Sequence, residues 1–206
     1  MKNFFTFEGC EGVGKSSQLR LLKEYCLANS INALFTREPG GSNIAEEIRG
    51  IILNPANSEM NPVCEALLFA SARNQHLCEV IIPALHSNKI VFCDRYVDSS
   101  FAYQGFGRGL GLEFVKRINE LAVVGYMPEI TVFLDLPPEE AFKRKGGANT
   151  KDRMEKNNIA FFDKIYFGYK EVISKNPERF FVVDASGTKV ETHEKIMEFF
   201  KSRGVF

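Results

Sequence analysis

The sequence predicts a three-layer α/β fold, a parallel sheet covered by helices on both faces. Three observations carry that reading. Short apolar runs such as NFFTF (3–7), KIVFCD (89–94) and EITVFLDL (129–136) alternate with stretches of helical periodicity along the whole chain. The runs are continuously apolar, as strands buried on both faces are. A glycine-rich turn, GCEGVGKS (9–16), joins the first such run to the first helical stretch.

Each element has its own justification. NFFTF leads into the glycine turn, and KSSQLRLLKEYCLANS (15–30) follows with leucines at helical spacing. INALFT (31–36) reads as a short strand and IAEEIRGIIL (44–53) as a helix. VCEALLFASARNQHLCEVIIPAL (63–85) is a long helix opening after Pro62, where proline suits a helix start. KIVFCD is a buried strand, EFVKRINELAVVG (113–125) a helix, and EITVFLDL a buried strand ended by Pro137 and Pro138. A helix from Glu139 to Lys145 breaks at Gly146-Gly147, and NNIAFFDKIYFGYKEVISK (157–175) resumes it. RFFVVDA (179–185) is the last strand and VETHEKIMEFFKS (190–202) the last helix. No repeat, low-complexity tract or linker interrupts the pattern. Residues 1–206, with 45% apolar side chains, read as a single domain around one core.

Composition removes several classes of function. Lysines and arginines number 26, as do aspartates and glutamates, so no overall basic field exists to hold a nucleic-acid polymer. No apolar run approaches the roughly 18 residues that span a bilayer. The start MKNFFTFEGC has one lysine and an apolar patch cut by Glu8, which is not a signal-peptide pattern. Cys10, Cys26, Cys64, Cys78 and Cys93 form no C-x-x-C pair and are odd in number, so they read as small core residues of a cytoplasmic protein. Three scattered histidines offer no zinc spacing.

The glycine turn fits G-x-x-x-x-G-K-[ST], with the strand before and helix after that the pattern requires. Gly9, Gly12 and Gly14 let the backbone close around phosphate oxygens, with Cys10, Glu11, Val13 and Ser17 completing the loop. The start of the helix at Lys15 adds its positive dipole end. Lys15 reaches β and γ phosphates and Ser16 offers a hydroxyl to magnesium, so the loop reads as an ATP-type nucleotide site. Glu11 sets a carboxylate inside this anion loop, and no arginine in the loop offsets it.

Three classes of nucleotide-binding protein remain. A GTPase switch finds D-x-x-G in DASG (184–187), but late in the chain and without any N-K-x-D for guanine; NTKD (149–152) is the nearest string. An ATP-driven binding module or motor would need partner surfaces. A small-molecule kinase needs a second anion site built from arginines and a basic lid. CDRY (93–96) ends a strand, where ligands of open parallel sheets sit. Arg95 can fork onto an acceptor phosphate and Asp94 can take magnesium-bound water, against the plainer reading of a structural ion pair. KRKGGANTKDR (143–153) packs basic residues around two glycines. Such a run is usually a solvated charged face, but a glycine break between helices is what a closing lid requires.

Six segments together resemble the bacterial thymidylate kinases: FEGCEGVGKSS (7–17), TREPGGS (36–42), EEIR (46–49), LLFASARNQH (67–76), DRYVDSSFAYQG (94–105) and LDLPPEEA (134–141). The resemblance implies the P-loop kinase fold with strand order 2-3-1-4-5. It implies phosphoryl transfer from ATP to dTMP in dTTP synthesis, with Mg2+ and a homodimer; a kinase for another nucleoside monophosphate is the neighbouring alternative. Phe69 would stack on thymine and Arg73 donate to a base carbonyl, their i, i+4 spacing putting both on one helix face. Ser100 and Gln104 would meet the base's polar edge, and Tyr103 the sugar, where a ring leaves no room for a 2′-hydroxyl. Arg49 and Arg95 would hold the acceptor phosphate, with Glu38 lining the same pocket and Glu11 facing the acceptor. Members with glycine at the position of Gly12 resemble the subtype whose lid supplies the catalytic arginine. Here the lid spans about 143–155, and Arg153 is first choice before Arg144, among Lys143, Lys145 and Lys151.

Overall fold

The computed structural model describes residues 2–144, 152–154 and 158–206; the expected Gly146-Gly147 break and the lid residues Lys145 and Lys151 lie outside them. Five strands form one parallel sheet: β1 (Phe4–Glu8), β2 (Ala33–Arg37), β3 (Ile90–Asp94), β4 (Ile130–Asp135) and β5 (Phe180–Asp184). Their order is β2-β3-β1-β4-β5, the order that the family resemblance implies. Phe7 stands beside Asp94 on one side and Val132 on the other, so the carboxyl ends of the three central strands are level.

β1 is buried throughout, and its side chains alternate between two helical layers. Phe5 and Phe7 pack on Phe200 of α9 (Lys189–Ser202), at ring separations of 5.2 and 6.4 Å. α9 in turn packs on α1 (Lys15–Ala28). Phe4 points the other way, edge-on to Tyr96 at 5.0 Å. That second layer holds α2 (Asn43–Leu53), α3 (Pro62–His76) and α6 (Leu112–Val123), with α2 and α6 each packed on α3. Local chemistry fixes the helix starts: Asn61 accepts from Val63 N with Pro62 in the first turn, and Thr188 forms a capping box with Glu191. Thr6, at the centre of β1, bonds Thr131 at 2.9 Å, which donates to Asp98; Arg179 grips both Asp98 oxygens at 2.7 and 2.6 Å. A polar group survives in that core because it is paired.

Three features differ from the sequence reading. The long helix at 63–85 is interrupted: a π-helical turn, Leu77–Ile81, separates α3 from α4 (Ile82–His86). Pro83 lacks the N–H an unbroken ladder needs, and the register shifts just before it. Residues 97–107, assigned to no element from sequence, form α5 (Val97–Ser100) and a π-helical stretch, Phe101–Gly107. Cys64 and Cys78 are exposed; only Cys10, Cys26 and Cys93 are buried. Among the described residues the remaining α-helices are α7 (Pro138–Arg144) and α8 (Ile159–Lys175). No helix among the described residues is long and apolar enough to cross a membrane.

Candidate active site

The glycine loop leaves β1 under steric constraint. A Cβ on Gly9, whose φ is +140°, would stand 2.9 Å from the Leu134 carbonyl oxygen, and Gly12 has φ +81°. Lys15 opens α1, and its ammonium turns back to donate to the Gly9 and Cys10 carbonyls at 3.0 and 2.8 Å. Burial lowers its pKa and the Arg95 charge adds to that, while Glu11 and Asp94 oppose both. Burial also pushes the Cys10 thiol up to about 12. Ser16 donates to Asp94 at 3.1 Å, so a hydroxyl and a carboxylate stand together at the ends of β1 and β3. This pair suits Mg2+, which takes one or two protein oxygens and fills its octahedron with water and phosphate.

Glu11 is not left uncompensated. Arg95, beyond the end of β3, donates to it at 2.6 Å. Arg95 itself has φ +67°, a left-handed conformation that costs a residue with a Cβ on the order of 1 kcal/mol or more. A backbone bond from its N–H to the Phe7 carbonyl holds it there. Its other edge donates to Ser99 at 3.0 Å and Tyr169 at 3.3 Å, and its guanidinium lies 5.1 Å from the Tyr103 ring centre. Below it, the fully buried Glu8 accepts from the backbone N–H of Tyr96 and Ser99 and from both hydroxyls, Ser99 at 2.6 Å and Tyr169 at 2.8 Å. Burial raises the Glu8 pKa and Arg95 opposes the rise. Burial likewise raises the Tyr169 pKa well above its ordinary value, which keeps that hydroxyl a donor.

A cavity of about 530 Å³ opens from the loop along this row. Glu11, Glu38, Arg49, Phe69, Arg95, Ser100, Tyr103 and Gln104 all line it, as do Lys15, Ser16 and Asp94. Arg73 does not. It lies behind the wall, 2% exposed, donating to Glu38 at 2.8 Å, Ser100 at 3.0 Å, the Tyr96 carbonyl at 3.2 Å and Asn119. Arg73 therefore holds two wall residues in place. Arg49 donates to the Pro39 carbonyl at 2.7 Å, across a Glu38–Pro39 peptide that is cis.

A second cavity of about 580 Å³ lies on the other side of the loop, between Gly12, Val13, Gly14 and Ser17 and the segment Ser186–Lys189. The DASG string weighed as a switch motif is thus part of a cavity wall. Arg144 lines both cavities and donates to the Ala185, Ser186 and Gly187 carbonyls. Arg153 lines neither. Its guanidinium is committed to the Ile52 carbonyl at 2.8 Å and Glu65 at 2.7 Å, and its backbone N–H to Leu53. The reason is Glu65, a carboxylate with no solvent access, which draws both Arg153 and Arg108 onto it.

Sequence reasoning missed Ser99, Tyr169, Glu65 and the Ser186–Lys189 wall. Ser99 sits inside DRYVDSSFAYQG (94–105), and the two adjacent hydroxyls of DSS are the available signal. Tyr169 and Glu65 are distant in sequence from the side chains they bond, and no local pattern marks them.

Comparison with known proteins agrees with this geometry. The thymidylate kinase family profile matches residues 7–196. A thymidylate kinase of Finegoldia magna is 45% identical over 204 residues, covering 98% of this chain and 99% of its own. One of Staphylococcus haemolyticus is 44% identical, covering 98% and 100%. The crystal structure of a thymidylate kinase from Ehrlichia chaffeensis superposes with a TM-score of 0.77 at 31% identity, covering 96% of this chain and 97% of the other. With a family match over residues 7–196, a relative 45% identical over nearly the whole of both chains and a shared fold, this chain belongs to the thymidylate kinase family.

Proposed function

We propose that this single-domain protein transfers the γ-phosphoryl group of ATP to dTMP, giving dTDP and ADP on the way to dTTP. It uses Mg2+ and works as a homodimer in the cytoplasm. One observation carries the reading: a phosphate loop, the Arg49 and Arg95 pair and the rings of Phe69 and Tyr103 line one continuous cavity. Reactants held end to end in one cavity need no diffusion between binding and reaction.

The roles follow from position. Phe69 takes the thymine face, with Ser100 and Gln104 at its polar edge and Arg73 bracing Ser100 from behind. Tyr103 lies against the sugar. Arg95 and Arg49 take the acceptor phosphate, Arg95 exchanging part of its bond to Glu11 for the phosphate oxygens. Lys15 turns from its own loop carbonyls to the β and γ phosphates. Ser16 and Asp94 would hold Mg2+, which would neutralise phosphate charge. Arg144, on the border of both cavities, is the lid arginine that the geometry favours for the transferring group. For Arg153 to serve there, the lid must first detach it from Glu65.

The homodimer reading rests on α2, α3 and α6, which lie side by side and leave Ile44, Ile51, Leu67 and Leu121 exposed at 49–83%. Large exposed apolar side chains on neighbouring helices suit an interface. The cytoplasmic reading rests on five unbridged cysteines. Phosphorus NMR tests the reaction: ATP, Mg2+ and dTMP should yield the paired signals of dTDP, whereas release of orthophosphate alone would contradict it. Light scattering should give twice the 23.3 kDa chain mass; a monomer at all concentrations would refute the dimer.

A further inference from the structure

Gln104 is an ambidextrous reader: its side-chain amide presents either an acceptor oxygen or a donor NH2 group. Which end faces the cavity decides which base edge it can bind. The structure settles the orientation from behind. The Gln104 NH2 group donates to Glu65 at 2.9 Å, and Gln104 lines the cavity. Reversing the amide would set its oxygen against a carboxylate oxygen, replacing an ion-assisted bond with repulsion in a site where both side chains are about 1% exposed or less.

Glu65 cannot swing aside. Arg108 reaches both its oxygens, at 3.1 Å each, while stacking on Phe161 at 4.6 Å. Arg153 pairs with it at 2.7 Å. Glu65 also precedes Phe69 by one helical turn, so one face of α3 carries both the stacking ring and the carboxylate.

We infer that Glu65 is a specificity-determining residue: by holding the Gln104 amide with its oxygen toward the cavity, it selects a pyrimidine whose N3 carries a hydrogen. Thymine and uracil have that N3–H donor. Cytosine has an acceptor at N3 and a donor at N4 where thymine has an acceptor. A buried acceptor facing an acceptor is left unpaired, which is how polar sites reject near-isosteres. The inference rests on the proposed placement of the base between Phe69 and Gln104. Glu65 acts through Gln104 and touches no substrate atom.

The test measures kcat/KM for dTMP, dCMP and N3-methyl-dTMP in the wild type, Glu65→Gln, Gln104→Ala and the double variant. Glu65→Gln leaves an acceptor for the arginines but lets its new NH2 group turn the Gln104 amide round. The dTMP-to-dCMP preference should fall about 10–100-fold, the worth of one buried hydrogen bond. The penalty for N3 methylation should shrink alongside it, and the double variant should lose no more than Gln104→Ala alone. Glu65→Asp, which keeps a charge for Arg108 and Arg153 but withdraws it from Gln104, should shift the preference the same way and serves if Glu65→Gln does not fold. A preference unchanged in the Glu65 variants but lost in Gln104→Ala would overturn the inference and leave the base placement standing. If Gln104→Ala also kept the full preference, the base placement itself would fall.

Discussion

Replacing Arg73 with alanine should damage the protein in two separable ways. The side chain is 2% exposed, and its acceptors include Glu38, whose residue is 4% exposed, together with Ser100, Asn119 and the Tyr96 carbonyl. Removing one partner of a buried ion pair leaves an uncompensated carboxylate and costs about 3–5 kcal/mol. For a domain of this length each kcal/mol moves Tm by about 2–4 °C, so the loss should be roughly 6–20 °C. Urea unfolding followed by circular dichroism measures the first figure, and calorimetry the second. Binding should also suffer: Glu38 and Ser100 lose their brace, and dTMP affinity should drop by about 1–3 kcal/mol. Affinity for ATP should hold, because Arg73 bonds Glu38 and Ser100 of the acceptor wall and no residue of the glycine loop. Pairing Arg73→Ala with Glu38→Ala should cost clearly less stability than the sum of the two. A destabilisation under about 1 kcal/mol, or an ATP affinity that falls with that of dTMP, would refute this reasoning.

Other outcomes are equally definite. Glu46 is held down to about 2, first by its bond to Arg37, so its stabilising contribution is present above pH 4.5 and is lost as pH falls toward 2. Glu46→Gln should therefore destabilise at pH 7, by about 1 kcal/mol once solvent screening of this half-exposed pair is allowed for, and the gap should close in acid. In the native protein a thiol reagent should modify at most two cysteines, Cys64 and Cys78, with the other three reacting only on unfolding. Arg153→Ala should raise KM for dTMP by about tenfold, because Glu65 keeps only Arg108 among its arginines; a change confined to KM for ATP would mean that Arg153 leaves Glu65 to reach phosphate.

The fold was legible because its signals are local. Apolar runs such as Phe4 to Phe7 and the glycine turn beside them specify strand, turn and helix within a few residues of each other. What escaped were effects of a single residue on a long element, such as Pro83 shifting the helix into a π turn, and a helix without a clean period at 97–107. The site divides in the same way. Residues in motifs, Lys15, Arg95 and Gln104 among them, were identified and line the cavity. Glu65 and Tyr169 work through contacts 39 and 161 residues away, a pairing that only the folded chain brings about. No local pattern around Arg153 marks Glu65, the buried carboxylate 88 residues away that it pairs with.

The central claim, that one cavity binds ATP at its loop and a thymine deoxynucleotide beyond it, is tested most directly by acceptor selectivity. ADP release with ATP and Mg2+ should be compared across dTMP, its ribose counterpart (the 5′-monophosphate of ribosylthymine), dCMP, AMP and GMP, and without any acceptor. The account predicts that dTMP has by far the highest kcat/KM, that the ribose form is poor because Tyr103 crowds its 2′-hydroxyl, and that ADP release without acceptor is slight. Equal rates with AMP or GMP, or release that needs no acceptor, would contradict it.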